Sequence, residues 1–426
     1  MKKFNKGLLT CAVTAALTIP MTAMATNGYF AHGYGTKNKA LAGGGSALPQ
    51  DAMAAATNPA GMVTVGDRMD LGFAIFSPSS RGYTVTGPAN DGFPAFEFAP
   101  QTVESDNDFF LIPHFARNWM LDGDSSIGVS VYGNGGMNTK YSSTANVYYG
   151  GEAGVNLEQL FINTTYSKKI NDKSSWGASL IAVYQTFEAK GLAAFGSFGF
   201  SSDSANLTNN GKDTSTGFGA KFGWQGEVAK DVTLAASYQT EMGMSKFDKY
   251  KGLFAEQGGF DIPASWTLGL AWDTSPKSTL TFDVQQIMYS DVAAIANPLS
   301  NLAPGNLGTS NGAGFGWEDM TVLKLGYQWE TSADWTWRVG ISQGDQPIPN
   351  TELPFNILAP AVMETHLTGG FTMKTGKDSE FNFAAMYAPK SDLTGTNPLQ
   401  GATGPSQNIT IEMTQLEIEA SWAWKF

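Results

Sequence analysis

Leu416-Glu417-Ile418-Glu419-Ala420-Ser421-Trp422-Ala423-Trp424-Lys425-Phe426 closes the chain in unbroken alternation. In an extended strand Leu416, Ile418, Ala420, Trp422, Trp424 and Phe426 share one face. Glu417, Glu419, Ser421, Ala423 and Lys425 share the other. Presented to water, the apolar row would invite edge pairing and aggregation; presented to lipid, it would not. The pattern points to a lipid-facing strand of a β-barrel, with the edge of a soluble sandwich as the alternative. An aromatic last residue, Phe426, also suits recognition by barrel-assembly machinery.

The same alternation recurs upstream over 69–75, 109–116, 127–131, 160–166, 176–184, 218–224, 232–238, 266–272, 280–284, 323–329, 335–341, 367–373 and 381–387. With the closing strand that makes fourteen. The connections alternate too. Tight polar turns (118–124, 171–174, 229–231, 274–277, 331–333, 376–378) are interleaved with long segments rich in Gly, Pro and Asn (79–107, 135–154, 189–212, 242–262, 291–316, 346–360, 390–408). Short turns at one end, long loops at the other and an even count define an all-β fold, a 14-stranded antiparallel transmembrane β-barrel over 67–426. Trp119, Trp176, Trp266, Trp272, Trp329 and Trp335 fall near strand ends, as interfacial girdles do.

The front of the chain fits an outer-membrane address. Lys2, Lys3 and Lys6 precede an apolar run from Gly7 to Ile19 and a small-residue site at Ala23-Met24-Ala25, so 1–25 reads as a signal peptide. Its loss would remove Cys11, the one cysteine, and three of 26 basic residues against 38 acidic ones. A formal charge of −12, made more negative by that loss, argues against a nucleic-acid partner. Residues 26–66 are apolar, irregular and rich in Gly, Ala and Asn. Fourteen strands enclose a lumen too wide for side chains to fill, and this segment reads as its plug, with a disordered periplasmic tail as the alternative.

Four runs in that segment, Asn27-Gly28-Tyr29-Phe30, His32-Gly33-Tyr34-Gly35, Ala47-Leu48-Pro49-Gln50-Asp51-Ala52 and Thr57-Asn58-Pro59-Ala60-Gly61, resemble the N-terminal hatch of the FadL family. A further match, Gly133-Asn134-Gly135-Gly136-Met137-Asn138-Thr139, falls where the family's third strand kinks inward. The resemblance implies outer-membrane uptake of hydrophobic compounds, long-chain fatty acids foremost, in a Gram-negative bacterium. The substrate would be caught at external loops, pass to a luminal pocket and leave sideways at strand three. The TodX-like branch, which takes up monoaromatic hydrocarbons, is one alternative, alkanes another, and a general porin or adhesin a third. A monomer suits a lateral exit.

That expectation nominates residues. Asn27, Gly28, Tyr29, Phe30, Asn58, Pro59 and Ala60 belong to the hatch, and Gly133, Asn134, Gly135 and Gly136 to a lateral gate. Strand parity puts Lys221, Lys324, Arg338 and Lys374 in the lumen, to meet a carboxylate substrate or to pair with Asp283, Glu330, Glu417 or Asp51. Lys324 and Arg338, on consecutive strands, could converge. Phe195, Phe198, Phe200, Met244, Phe247, Leu253 and Phe254 offer an exposed apolar capture surface, or loop-to-loop packing. The acidic run Glu104 to Asp108 suits solvent or cation-bridged lipopolysaccharide. His32, His114 and His366 are dispersed, and no catalytic motif, metal-spaced pair or cofactor-binding loop stands out, so no catalytic residue, cofactor or metal is expected; a barrel phospholipase is the enzymatic alternative.

Overall fold

The computed structural model describes residues 26–89, 98–400 and 406–426; the signal segment and Cys11 lie outside them. Fourteen long strands form its wall: β1 (Arg68–Ser77), β2 (Phe110–Met120), β3 (Ser125–Asn138), β4 (Gly154–Asn171), β5 (Ser174–Lys190), β6 (Asp213–Ala229) and β7 (Val232–Gln239), then β8 (Ser265–Ser275), β9 (Ser278–Ile287), β10 (Met320–Glu330), β11 (Trp335–Gly344), β12 (Thr365–Lys374), β13 (Ser379–Thr396) and β14 (Asn408–Lys425). Each is antiparallel to the next, and β14 returns to β1 with Arg68 opposite Lys425 and Ser77 opposite Leu416. The sheet is a closed barrel.

Alternation sets which side chains face out. Along β1, Leu71, Phe73 and Ile75 are 48%, 41% and 39% exposed, while the intervening Ala74 is fully buried. Trp422, Ile418 and Leu416 on β14 are exposed in the same way. The result is a continuous apolar outer band, which only lipid would cover. The C-terminal ring of Phe426 rests 4.4 Å from the Arg117 guanidinium, beside the foot of β2.

The long connection 79–107 holds more order than its composition promises. Gly82–Thr86 and Gln101–Glu104 form a hairpin that continues the ladder above β14, with Thr86 opposite Asn408. Tyr83 and Val85 are buried, whereas Thr84, Thr86, Thr102 and Glu104 take the other face, so the hairpin has none of the apolar row that marks the other strands. Polar outward residues, among them Lys390, Asp392, Thr394 and Glu412, likewise hide the upper parts of β13 and β14, which run well beyond 387 and before 416.

Residues 26–66 occupy the barrel interior, and several of their polar groups bond to the inner wall, although the side chains of Asn27 and His32 and the Tyr29 hydroxyl are buried without a hydrogen-bond partner among the described residues. Asn58 caps the 3-10 turn Pro59–Thr64 by accepting from the Ala60 amide at 3.1 Å. Its amide nitrogen donates to Ser46 O and to Trp224 O on β6, each at 3.1 Å. The Ala60 carbonyl accepts from Ser167 on β4 at 3.0 Å and from Ser175 on β5 at 2.8 Å. Inward-facing Gly177 and Gly223 lie directly against Pro59 and Asn58, where a methyl group would overlap them.

Charge holds the same segment on the opposite wall. Lys39 donates to Glu417 and Glu419 on β14, both at 2.7 Å, and Thr36 donates to Glu419 at 2.8 Å. Lys37 meets Glu380 on β13 at 2.5 Å, and Glu380 also accepts from Arg68 at 2.8 Å. Removing one partner of a buried ion pair costs about 3–5 kcal/mol, because the other charge is left uncompensated. Lys39→Met, which leaves two facing carboxylates, is therefore expected to loosen the segment within an intact barrel. Single-channel recording should show frequent open events where the parent protein shows few; parent-like traces would contradict this seating.

Candidate functional site

Four long loops bury one another's apolar side chains and leave a narrow apolar pocket, with a free volume of about 40 Å³, at the long-loop end. Phe195, Leu253, Phe254, Phe315 and Phe355 line it from the loops, and Phe187 lines it from the end of β5. The residues expected either as an exposed capture surface or in loop-to-loop packing are thus mostly packed loop against loop around this pocket. Phe195, Leu253 and Phe254 reach it; Phe200 backs Phe195 at 6.5 Å, and Phe247 backs Phe187 at 5.6 Å. Phe198 is 43% exposed outside it, and Met244 is drawn into a two-residue strand against β6. The share contributed by 291–316, through Ala294, Leu307 and Ala313, was not legible, because small residues spaced among Gly and Asn give no periodic signal.

Beneath the pocket lies an aromatic cluster centred on Tyr29. Its ring is 5.3 Å from Tyr289 and 6.1 Å from both Phe260 and Trp317. Gly28, at φ +63°, makes the turn that lets Asn27 and Phe30 exchange backbone bonds of 2.9 and 3.1 Å under the Tyr289 hydroxyl. That hydroxyl donates to Asn27 O at 2.5 Å and accepts from the Tyr29 amide at 3.2 Å.

The same turn docks on β3. The Ala31 amide donates to Asn134 O at 2.8 Å and the Gly136 amide to Tyr29 O at 2.9 Å. Gly135 lies so close to Tyr29 O that no side chain fits. Asn134 is a bulge between Gly133 and Gly135 in the β3–β4 register; it accepts from the Tyr34 hydroxyl at 2.7 Å and donates to Gln159 at 3.0 Å. On the other edge, the β2–β3 ladder ends at Phe115–Val131. Farther up, the strands are bridged again where Asp106 bonds Lys140 O at 2.8 Å and Asn107 bonds Asn138 at 2.8 Å. Between these two ties lies a window in the wall.

The four nominated cations separate. Lys221 and Lys324 face one small luminal cavity, with a free volume of about 20 Å³, bounded by Phe30, Tyr34 and Asn38 of the N-terminal segment. Lys221 donates to Ala56 O, and Lys324 to His32 O at 3.1 Å and Gly43 O at 3.4 Å. Arg338 does not converge with Lys324: it donates to Gln50 Oε1 at 2.6 and 3.1 Å and to Thr372 at 2.8 Å. Lys374 has inward parity but sits at the exposed short-turn rim, so its luminal placement is corrected; parity fixes a side and not a depth. Of the nominated carboxylates, Glu417 goes to Lys39, Asp283 accepts from the Ser46 amide at 2.9 Å and Asp51 from Met53 at 3.0 Å, whereas Glu330 is at the exposed rim. His32 and His366 stack at 5.7 Å in the interior, and His114 lies 3.5 Å from Glu419.

Comparison with known proteins agrees with this geometry. The sequence pattern of the family described as outer membrane protein transport protein (OMPP1/FadL/TodX) matches residues 13–416. The long-chain fatty acid transport protein of Escherichia coli K12 is 23% identical over 90% of this chain and 92% of its own. The crystal structure of the Pseudomonas putida toluene transporter TodX superposes with a TM-score of 0.66 at 19% identity, covering 93% of this chain and 99% of that one. A Pseudomonas aeruginosa FadL homologue gives 0.69 at 16% identity, covering 94% and 100%. A barrel of fourteen strands with an apolar outer band, matched over nearly its whole length by one family pattern, belongs to the OMPP1/FadL/TodX family of outer-membrane transport proteins.

Proposed function

We propose that this protein carries long-chain fatty acids inward across the outer membrane, with residues 26–66 as its hatch. The observation that bears most weight is the pairing of an apolar outer pocket with a deeper cavity faced by Lys221 and Lys324. Burying a methylene gains about 0.8 kcal/mol, so ten methylenes gain about 8 kcal/mol gross. That suffices to strip an acyl chain from water at the pocket. The ammonium groups give its carboxylate a partner farther in, by exchanging hatch carbonyls for a charged oxygen. The relatives named as fatty-acid transporters favour the same substrate. Exit is assigned to the window between β2 and β3, which opens toward lipid once Tyr29–Ala31 leave Asn134–Gly136.

A second reading is uptake of uncharged hydrocarbons. It draws on the aromatic and aliphatic side chains that line the outer pocket and on the fold shared with toluene transporters. Cellular uptake of labelled oleate and toluene, in a strain lacking its own transporter, separates the two. On the fatty-acid reading, Lys221→Met and Lys324→Met each lower oleate uptake at least several-fold. Preferred uptake of toluene, untouched by either change, would favour the hydrocarbon reading and refute the first.

Two further outcomes follow from the pocket and the window. Ala313→Trp, which fills the outer pocket, is expected to cut uptake about tenfold or more, through loss of roughly two methylenes' worth of burial. Deleting Asn134 removes the bulge, lets β3 run straight beside β2 and should abolish uptake while the barrel keeps its heat-modifiable migration. Parent-like uptake by either folded variant would refute the corresponding step.

A further inference from the structure

The outer pocket and the Tyr29 cluster are separated by rings rather than by main chain. Phe254 lines the pocket, with its ring 4.5 Å from Phe187 on that side. On its other side it meets Phe260 at 4.9 Å, and Phe260 meets Tyr29 at 6.1 Å. A partition made of side chains can open by rotation, which a hydrogen-bonded strand cannot do without breaking its ladder.

The backbone that carries Phe254 is itself unusual. Directly after Ala255, Glu256 has φ 56° and ψ 30°, Gln257 has φ 62° and ψ 52°, and Gly258 has φ 95°. Two successive non-glycine residues in the left-handed region are rare, because each Cβ crowds the following carbonyl. Both side chains are exposed, so no burial of theirs offsets the crowding. The turn is held by backbone bonds: Glu256 N to Thr309 O at 3.2 Å, Gln257 N to Gly308 O at 2.7 Å, and Gly258 N to Phe254 O at 3.2 Å. The last of these ties the strained turn to the residue that bears the ring. The first two tie it to 291–316, the loop that supplies Ala313 and Phe315 to the pocket. An apolar ligand that displaces this loop would withdraw the bonds that hold the turn left-handed.

We propose that Phe254 is the door between the outer pocket and the hatch, and that the strained turn Glu256–Gly258 is its hinge. The door passes an acyl chain or other apolar end first, because the ring it opens onto directly, Phe260, offers only stacking and dispersion contacts. The inference rests on reading the outer pocket as the capture site.

Glycine at 256 and 257 relieves the crowding without changing the observed conformation, so it stabilises the closed turn over any relaxed one. The double variant Glu256→Gly/Gln257→Gly is expected to take up oleate roughly tenfold more slowly. Equilibrium binding of a fluorescent polyene fatty acid to the purified protein should stay unchanged. Measured at saturating oleate, so that capture is not limiting, adding Phe254→Ala should raise the rate well above that of the double variant, because the door is then absent; Phe254→Leu serves if alanine prevents assembly. Parent-like uptake by the double variant, or a triple variant that stays slow, overturns the door. Ala313→Trp is the control for the underlying reading. If it blocks binding and uptake while the glycine pair has no effect, only the door fails; if it changes neither, the capture site itself is refuted.

Discussion

An exchange of backbone partners at β3 governs the arrangement of the whole molecule. Asn134 and Gly136 give their carbonyl and amide to Ala31 and Tyr29, inside the barrel, instead of continuing the ladder to β2. One set of bonds therefore does two things: it seats the front of the N-terminal segment, and it leaves the window between β2 and β3. Every backbone donor at membrane depth needs a partner, since lipid offers none. A window of this kind is tolerable only while the segment supplies one. In the proposed route, hatch movement and wall opening are coupled for that reason.

The rest of the N-terminal segment is held differently. Lys37 and Lys39 are locked into carboxylates on β13 and β14, and Asn58–Ala60 is clamped to β4, β5 and β6 by three side-chain bonds of 2.8–3.1 Å. Residues 27–31 depend instead on main-chain bonds to β3, the Tyr289 hydroxyl and ring packing. Breaking the ion pairs would strand buried charges, whereas breaking the β3 bonds exposes neutral amides that a passing ligand can help to cover. In the proposed route, that contrast puts movement at the tip and anchoring in the body.

Much of this was written in the sequence, for reasons specific to each part. A membrane barrel enforces a two-residue period along each strand, so fourteen strands could be counted from residues such as Leu71, Phe73 and Ile75 before any geometry was known. The Gly133–Gly136 run stood out because it resembles the family's kinked third strand, and glycine in a strand interior suits a bulge. The inward glycines Gly177 and Gly223 carry the same signal singly, and a lone glycine is too common to read. Pocket membership was only half legible: Phe195 and Phe254 are conspicuous aromatics, whereas Ala313 and Leu307 acquire their place by loop packing. Nor could strand parity find the partners of Lys221 and Lys324, because those are carbonyls of the folded N-terminal segment.

The most direct measurement of the central coupling is amide hydrogen exchange on the intact protein in lipid nanodiscs, with and without oleate. Without ligand, Ala31 and Gly136 should be protected to similar extents, because each donates across the same junction. With oleate bound, the account requires both amides to lose protection together, while Lys39 and its neighbours stay protected. Loss at Gly136 with Ala31 unchanged, or release of the whole N-terminal segment at once, would contradict it.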